Sequence, residues 1–234
     1  MVYITGDLHG DISRLKSKAV RKLRRNDYLI VCGDFGFLWD GSENERRILE
    51  WIGKRKFHVL FVDGANDNLP LLEKYDRIAW NGGEVHAISG KLKHLCRGSI
   101  FTIDNFTIFA FGGGIATDDD SFGRDADWIS LQLPTDAEIE AARANLMAHN
   151  NTVDYVVTHQ CSLKLKSLLL MKDTQASNME WFFDEVRSAC TYKGWFFGHY
   201  HLDKYIPQNE VAVFQHLWPL GTDLQVTARE CKKR

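Results

Sequence analysis

Five apolar runs in this chain lead into the same kind of segment. Residues 2–4, 28–32, 58–62, 154–157 and 195–197 read as short strands. The segments at or just after their ends are Gly6-Asp7-Leu8-His9-Gly10, Gly33-Asp34, Gly64-Ala65-Asn66-Asp67, Thr158-His159 and Gly198-His199-Tyr200-His201. Strands this apolar are covered on both faces. Loops at strand C-termini of an α/β sheet converge on one edge, where ligands bind. A chain with Asp, His or Asn at five such ends is constrained to gather them in one place.

The intervening stretches fit that plan. Residues 12–24 predict a helix with Asp11 as its N-cap, 43–54 a second and 69–75 a short third. This strand–helix alternation predicts a mostly parallel layer with helices on its faces. The middle differs: 85–88, 92–96, 100–103 and 107–111 predict strands with no room for helices between them, hence antiparallel hairpins. Asp104-Asn105 fits a two-residue turn between the last two. A helix over 135–148, a strand over 154–157, two helical pieces within 162–190, and strands over 195–197, 203–206, 211–214 and 223–226 follow. Together these predict an α/β sandwich with two sheets. Residues 115–134, with Asp118-Asp119-Asp120, read as an irregular, solvated acidic loop. No Pro/Gly/Ser-rich linker interrupts the chain, so 1–234 is expected as one domain, with 162–190 as a helical cap within it.

A formal net charge of −2 gives no electrostatic support to general nucleic-acid binding. The one basic strip is Arg14, Lys16, Lys18, Arg21, Lys22, Arg24 and Arg25. It reads as the solvated face of an amphipathic helix, and is the only hint of a polynucleotide partner. Five scattered cysteines without a CxxC pair suit a reducing compartment rather than a disulfide framework. No signal-peptide pattern and no run of membrane-spanning length is present, so a cytoplasmic protein without a membrane partner is expected.

Asp and His together suit divalent transition metals. Asp34 is placed to bridge two cations and reduce their repulsion. His159, His199 and His201 add neutral imidazoles. Two such ions polarise phosphoryl oxygens and acidify water between them.

The order Asp-x-His (Asp7-Leu8-His9), Gly-Asp (Gly33-Asp34), a later His (His159) and Gly-His-x-His (Gly198-His199-Tyr200-His201) resembles the calcineurin-like metallophosphoesterases, along nearly the whole chain. That resemblance implies a four-layer α/β sandwich of two mixed β-sheets flanked by helices. It implies two divalent ions, with Mn²⁺ the leading expectation and Fe or Zn compatible. Asp7, His9, Asp34 and His201 would hold one ion. Asp34, His159 and His199 would hold the other, with an Asn from the third segment. The implied activity is hydrolysis of a phosphomonoester or phosphodiester by a metal-bridging hydroxide, on a phosphorylated small molecule, nucleotide or phosphoprotein. Gly33-Asp34-Phe35-Gly36 stands where eukaryotic-type protein Ser/Thr phosphatases have Asp-Arg-Gly, which sets the chain apart from them.

The third segment departs from the family's Gly-Asn-His-Glu/Asp. Aligned without a gap, Ala65 replaces the ligand Asn, and Asn66 replaces the proton-donating His. Three readings stand. Asn66 shifts by one position to become the ligand, with Asp67 or water as the acid. Alternatively, the enzyme is weakened or specialised for good leaving groups, since a general acid contributes about 10²–10⁴-fold. Or Ala65 is an introduced, quieting change. A binding protein without turnover and a metal-dependent nuclease are the competing functions.

Arg97, before Gly98, is a candidate substrate clamp, since arginine recognises phosphate bidentately; a structural ion pair is its other reading. Gly112-Gly113-Gly114 would cradle a phosphate or pack beside the metals. Cys161 would reach the site as a soft ligand or simply be buried. Trp181-Phe182-Phe183, in a predicted helix, reads as core or as a hydrophobic wall of a substrate cleft. His58, His86, His94, His149 and His216 fit no motif and read as surface or core residues.

Overall fold

A computed structural model describes residues 1–115, 131–171 and 176–231. The first sheet contains β1 (Val2–Thr5), β2 (Tyr28–Cys32), β3 (His58–Val62), β4 (Arg77–Trp80), β5 (Gly83–Ser89), β6 (Leu92–Leu95) and β13 (Trp218–Pro219), in the order β13-β1-β2-β3-β6-β5-β4. The pairs β1–β2, β2–β3 and β3–β6 are parallel, and the remaining pairs antiparallel. The second sheet contains β7 (Ser99–Ile103), β8 (Phe106–Phe111), β9 (Tyr155–Thr158), β10 (Gly194–Phe197), β11 (Lys204–Ile206) and β12 (Glu210–Ala212), in the order β11-β12-β10-β9-β8-β7. It too is mixed, parallel at its centre and antiparallel at both ends.

The two-residue period of a strand explains the layering. Ile30 and Cys32 of β2 and Leu60 and Val62 of β3 face the other sheet, where they meet Phe101, Ile108, Val157 and Phe196. Their neighbours Leu29, Val31, Val59 and Phe61 point the opposite way. There they pack on Leu15 of α1 (Ile12–Leu15), Val20 of α2 (Lys18–Arg21), and Leu49 and Ile52 of α3 (Glu43–Gly53). On the outer face of the second sheet, Phe109, Phe111, Val156 and Phe197 are covered by Ile139, Ala142 and Leu146 of α5 (Asp136–Ala148) and by Phe182, Phe183 and Val186 of α7 (Asn178–Ala189). The result is the expected α/β sandwich of two mixed sheets flanked by helices. A short α4 (Leu69–Leu72), α6 (Leu163–Leu170) and α8 (Leu224–Cys231) complete the described helices.

Four expectations need correction. The helix predicted over 12–24 is two short helices, because the Ser17 hydroxyl caps a new start by accepting from Val20 N–H. Residues 223–226 are not a strand: Asp223 accepts from the N–H groups of Gln225 and Val226 and opens α8. The strand expected over 211–214 is β12, which starts at Glu210 and ends at Ala212. Strands β4 and β13 were not predicted. The first is largely exposed and the second is two residues long, so neither carries an apolar pattern. The Asp104-Asn105 turn is as expected, with both residues at positive φ. Asp118-Asp119-Asp120 lie outside the described residues.

Cys32, Cys96, Cys161 and Cys190 are free thiols. Among the described residues, no helix is long and apolar enough to cross a membrane.

Candidate metal centre

The loops after β1, β2 and β3 of the first sheet and β9 and β10 of the second meet at one end of the sandwich. Backbone bonds join the first two: His9 N donates to Asp34 O at 2.9 Å, and Gly10 N to Phe35 O at 3.2 Å. His199 N donates to both carboxylate oxygens of Asp7, at 2.9 and 3.0 Å, which ties the last loop to the first. His9, Asp34, His199 and His201 all take positive φ, between 45° and 66°. Non-glycine residues hold that conformation only where their surroundings enforce it, and such strain clusters at functional sites. The motif glycines supply close approach: a Cβ on Gly33 would lie 2.2 Å from His159 Nδ1, and one on Gly198 2.4 Å from Cys32 O.

Two groups of side chains converge. Asp7, Asp34 and His159 are all buried and bring ligand atoms within 4.8 Å of one another, as do Asp7, His9 and His201. His9 Nε2 and His201 Nε2 are 2.8 Å apart, with the His201 ring stacked on Phe214. His159 Nδ1 lies 2.9 Å from Cys32 O, so this nitrogen carries the proton and donates it. In the neutral ring Nε2 is then a bare lone pair. It is buried, has no hydrogen-bond partner, and lies 3.6 Å from Asp34 Oδ1. A lone pair facing a carboxylate is repulsive unless a proton or a metal ion lies between them. Nitrogen and oxygen ligands about 2.1 Å from one tetrahedral ion stand roughly 3.4 Å apart, close to this spacing.

The electrostatics carry the same demand. Burial raises the Asp7 carboxyl to about 7, with Asp34 adding to the rise and His159 opposing it. Burial also disfavours charge on Asp34, yet His159 and two hydrogen bonds from Asn66 hold it below the usual carboxylate range. Burial opposes charge on His159, but Asp34 and Asp7 outweigh it and raise its pKa. Burial and the neighbouring His159 lower His199 to about 3, so its imidazole is neutral and has a lone pair to give. Buried carboxylates beside the neutral His199 imidazole form a donor set that fits divalent cations.

The third segment is occupied in a definite way. Ala65 is fully buried. Asn66 N donates to Asp34 Oδ1 and its carboxamide Nδ2 to Asp34 Oδ2, both at 2.8 Å. The Asn66 side chain thus lies on the Asp34 carboxylate of one group, while Asp7 is the residue common to both. The Asp67 oxygens accept backbone N–H groups from Phe35 (3.3 Å), Gly36 (3.0 Å) and Gly64 (2.8 Å), and the residue is 2% exposed. Asp67, a catalytic candidate from sequence, therefore joins the second and third loops. Burial and the Asp34 charge raise its carboxyl to about 7.

Arg97 is not an open clamp. Its Nε and one terminal nitrogen donate to Asp63 Oδ2 at 2.9 and 2.6 Å, the latter nitrogen also to Gln132 O at 3.0 Å, and its side chain is 7% exposed. The ion-pair reading describes it. The triple glycine is packing rather than a cradle: Gly113 N donates to Asp63 O and Gly114 N to Gln132 O, and a Cβ on Gly112 would meet Asp63 Oδ1 at 2.0 Å. Cys161 is buried with its thiol on Tyr200 Oη. Phe182 and Phe183 are core, but Trp181 is half exposed.

Two contributors escaped the sequence reading. Gln160 Nε2 is 3.0 Å from His199 Nε2 and also donates to Ile115 O at 3.0 Å; its place directly after His159 was the available signal. Arg14, read as a solvated charge, turns inward beneath Asp7. Its guanidinium donates to the Asp7 and Phe214 carbonyls and to Thr5 Oγ1, and buttresses the first loop.

A family model described as calcineurin-like phosphoesterase matches residues 1–206. No curated protein matches the chain. Among solved structures, a protein of unknown function from Aquifex aeolicus aligns at 15% identity, over 80% of this chain and 92% of that one, with a TM-score of 0.32.

Proposed function

Because the chain belongs to the calcineurin-like phosphoesterase family, we propose that it is a metal-dependent hydrolase of a phosphomonoester or phosphodiester. In this reading Asp7, His9, Asp34 and His201 hold one divalent ion, and Asp34, His159, His199 and the Asn66 carboxamide hold the second. When bound, such ions supply Lewis acidity toward phosphoryl oxygens and lower the pKa of a coordinated water. The observation that carries the reading is the buried, unpartnered Nε2 of His159 opposite Asp34.

The remaining work falls to this chain's own groups. Asp34 neutralises charge between the two groups. The Cys32 carbonyl fixes the His159 tautomer, as hydrogen bonds to the outer nitrogen do for metal-binding histidines. Gln160 orients His199, while Arg14 and Asp67 hold the loops. No histidine occupies the third segment, so water protonates the leaving group, and esters with good leaving groups are favoured. We extend the proposal to a single domain over 1–234, Mn²⁺ as the working ion and a cytoplasmic location.

The test is hydrolysis of p-nitrophenyl phosphate and its bis ester, with Mn²⁺ and after chelation. Turnover that needs Mn²⁺ is expected. Full metal occupancy without turnover of either ester would contradict the reading and favour a binding protein.

A further inference from the structure

Away from the loop cluster, β5 and β6 place two histidines and a cysteine together. His86 and His94 are direct partners across the antiparallel ladder, and Cys96 lies just beyond the end of β6. They are 1%, 3% and 4% exposed. Their facing Nδ1 atoms are 3.0 Å apart, Cys96 Sγ is 3.7 Å from His86 Nδ1, and ligand atoms from all three lie within 4.8 Å of one another. Around a tetrahedral zinc ion, two nitrogens stand about 3.3 Å apart, and nitrogen and sulfur about 3.5 Å. The cluster is within a few tenths of an ångström of both spacings.

Proton counting points the same way. His94 Nε2 is 3.1 Å from Asp63 Oδ1, so a proton sits there, and in the neutral ring Nδ1 is a lone pair. Without a cation, the facing His86 Nδ1 must carry the His86 proton. His86 Nε2 is then a bare acceptor, buried and without a hydrogen-bond partner. A cation at the two Nδ1 atoms reverses this. The His86 proton moves to Nε2, which faces Glu73 Oε2 at 3.6 Å. Each imidazole then has a carboxylate behind it, Asp63 for His94 and Glu73 for His86. That is the usual setting of metal-bound histidine.

We propose that His86, His94 and Cys96 form a separate metal site, suited by its two imidazoles and one thiolate to Zn²⁺, with the fourth position left to water. Loading releases one proton, from the Cys96 thiol, and shifts the His86 proton between its ring nitrogens. The thiol is buried, and a cation on the sulfur displaces its proton. The ion would pin β5 to β6. Through Asp63 it reaches the segment before Gly64, because the other Asp63 oxygen holds Arg97 and the Asp63 carbonyl accepts from Gly113 N.

Titration of the metal-free protein with Co²⁺ tests this. The loop-cluster ligands are all nitrogen or oxygen, so a near-ultraviolet thiolate-to-cobalt charge-transfer band reports this site alone. A band of one thiolate per chain, displaced by Zn²⁺, is expected in the native chain and in Cys161→Ser, and its loss in Cys96→Ser. Zinc affinity at this position should fall in His94→Gln by more than the roughly 10–100-fold that loss of an outer partner costs. Absence of the band in the native chain at saturating Co²⁺, or its persistence in Cys96→Ser, overturns the proposal. Should the variants fail to fold, X-ray absorption of the zinc-loaded native chain decides: a sulfur at about 2.3 Å supports the site, and nitrogen and oxygen scattering alone excludes it.

Discussion

His159 Nε2 and Asp34 Oδ1 face each other at 3.6 Å, too far for a hydrogen bond and with no other partner for the nitrogen. The two residues come from β9 and β2, in different sheets, and the contact exists because Gly33 leaves room for the imidazole. The electrostatic behaviour of the centre follows from carboxylates gathered here with little compensating charge.

The stability of the metal-free protein should therefore depend on pH in a specific direction. Asp7 and Asp67 have folded values near 7, against about 3.9 when unfolded. Below the unfolded value both states are protonated and the groups cost nothing. As pH rises through the folded value, the unfolded chain ionises more easily and stability is lost. Thermal melts in chelator should show a falling melting temperature between about pH 4 and pH 7. Mn²⁺ should restore it at neutral pH, because binding to the folded state alone stabilises it. A flat chelator profile would contradict this account of the two carboxylates.

Asn66 touches Asp34 through both its backbone and its side chain. Asn66→Ala keeps the backbone bond and removes the carboxamide. Affinity for the second ion should fall at least about 10–100-fold, the range seen when supporting partners are lost. Isothermal titration with Mn²⁺ reads this directly; unchanged affinity would leave the one-residue shift in the third segment without a function.

The Asp63–Arg97 pair is buried, and Asp63 also meets His94. Burial works against its charge, but Arg97 and His94 hold the Asp63 carboxyl well below the usual range. Its contribution to stability is present above the ordinary carboxylate pKa and is lost as pH falls toward the folded value. Removing one partner strands a buried charge, so Arg97→Met should cost about 3–5 kcal/mol in urea unfolding at pH 7. KM for a small phosphoester should hold steady in the folded fraction. A large rise in KM with unchanged stability would restore Arg97 to substrate binding.

Gly33 sits at φ 85°, and a methyl there would strike His159. Gly33→Ala should displace His159 and lower occupancy of the second ion, besides the roughly 1–3 kcal/mol cost of the backbone conformation. Metal analysis of the purified variant checks this, and full occupancy would show that the imidazole needs no such clearance.

The layers and the loop cluster were readable in the sequence because β1, β2, β3, β9 and β10 are apolar on both faces and lead into chemically distinctive segments. Asp7, His9, Asp34, His159, His199 and His201 could be named for that reason. Partnerships fixed by tertiary contact were not readable. The Arg14 charge pattern looks solvated until the Phe214 and Asp7 carbonyls are brought to it. His86 and His94 belong to no motif, and only the register between β5 and β6 sets them face to face. Leu224 and Val226 alternate like a strand, yet Asp223 caps a helix there. In the third segment, sequence left open whether Asn66 reaches the centre; its two bonds to Asp34 place the residue there.

The most direct test compares the native chain with His159→Gln for metal content and for Mn²⁺-dependent hydrolysis of bis(p-nitrophenyl) phosphate. The native chain should hold two Mn²⁺ in the loop cluster and turn the ester over. His159→Gln should lose one of the two ions and at least about 100-fold in kcat/KM, some 2.7 kcal/mol of transition-state stabilisation. A folded His159→Gln protein with native metal content and native turnover would contradict the assignment of this centre.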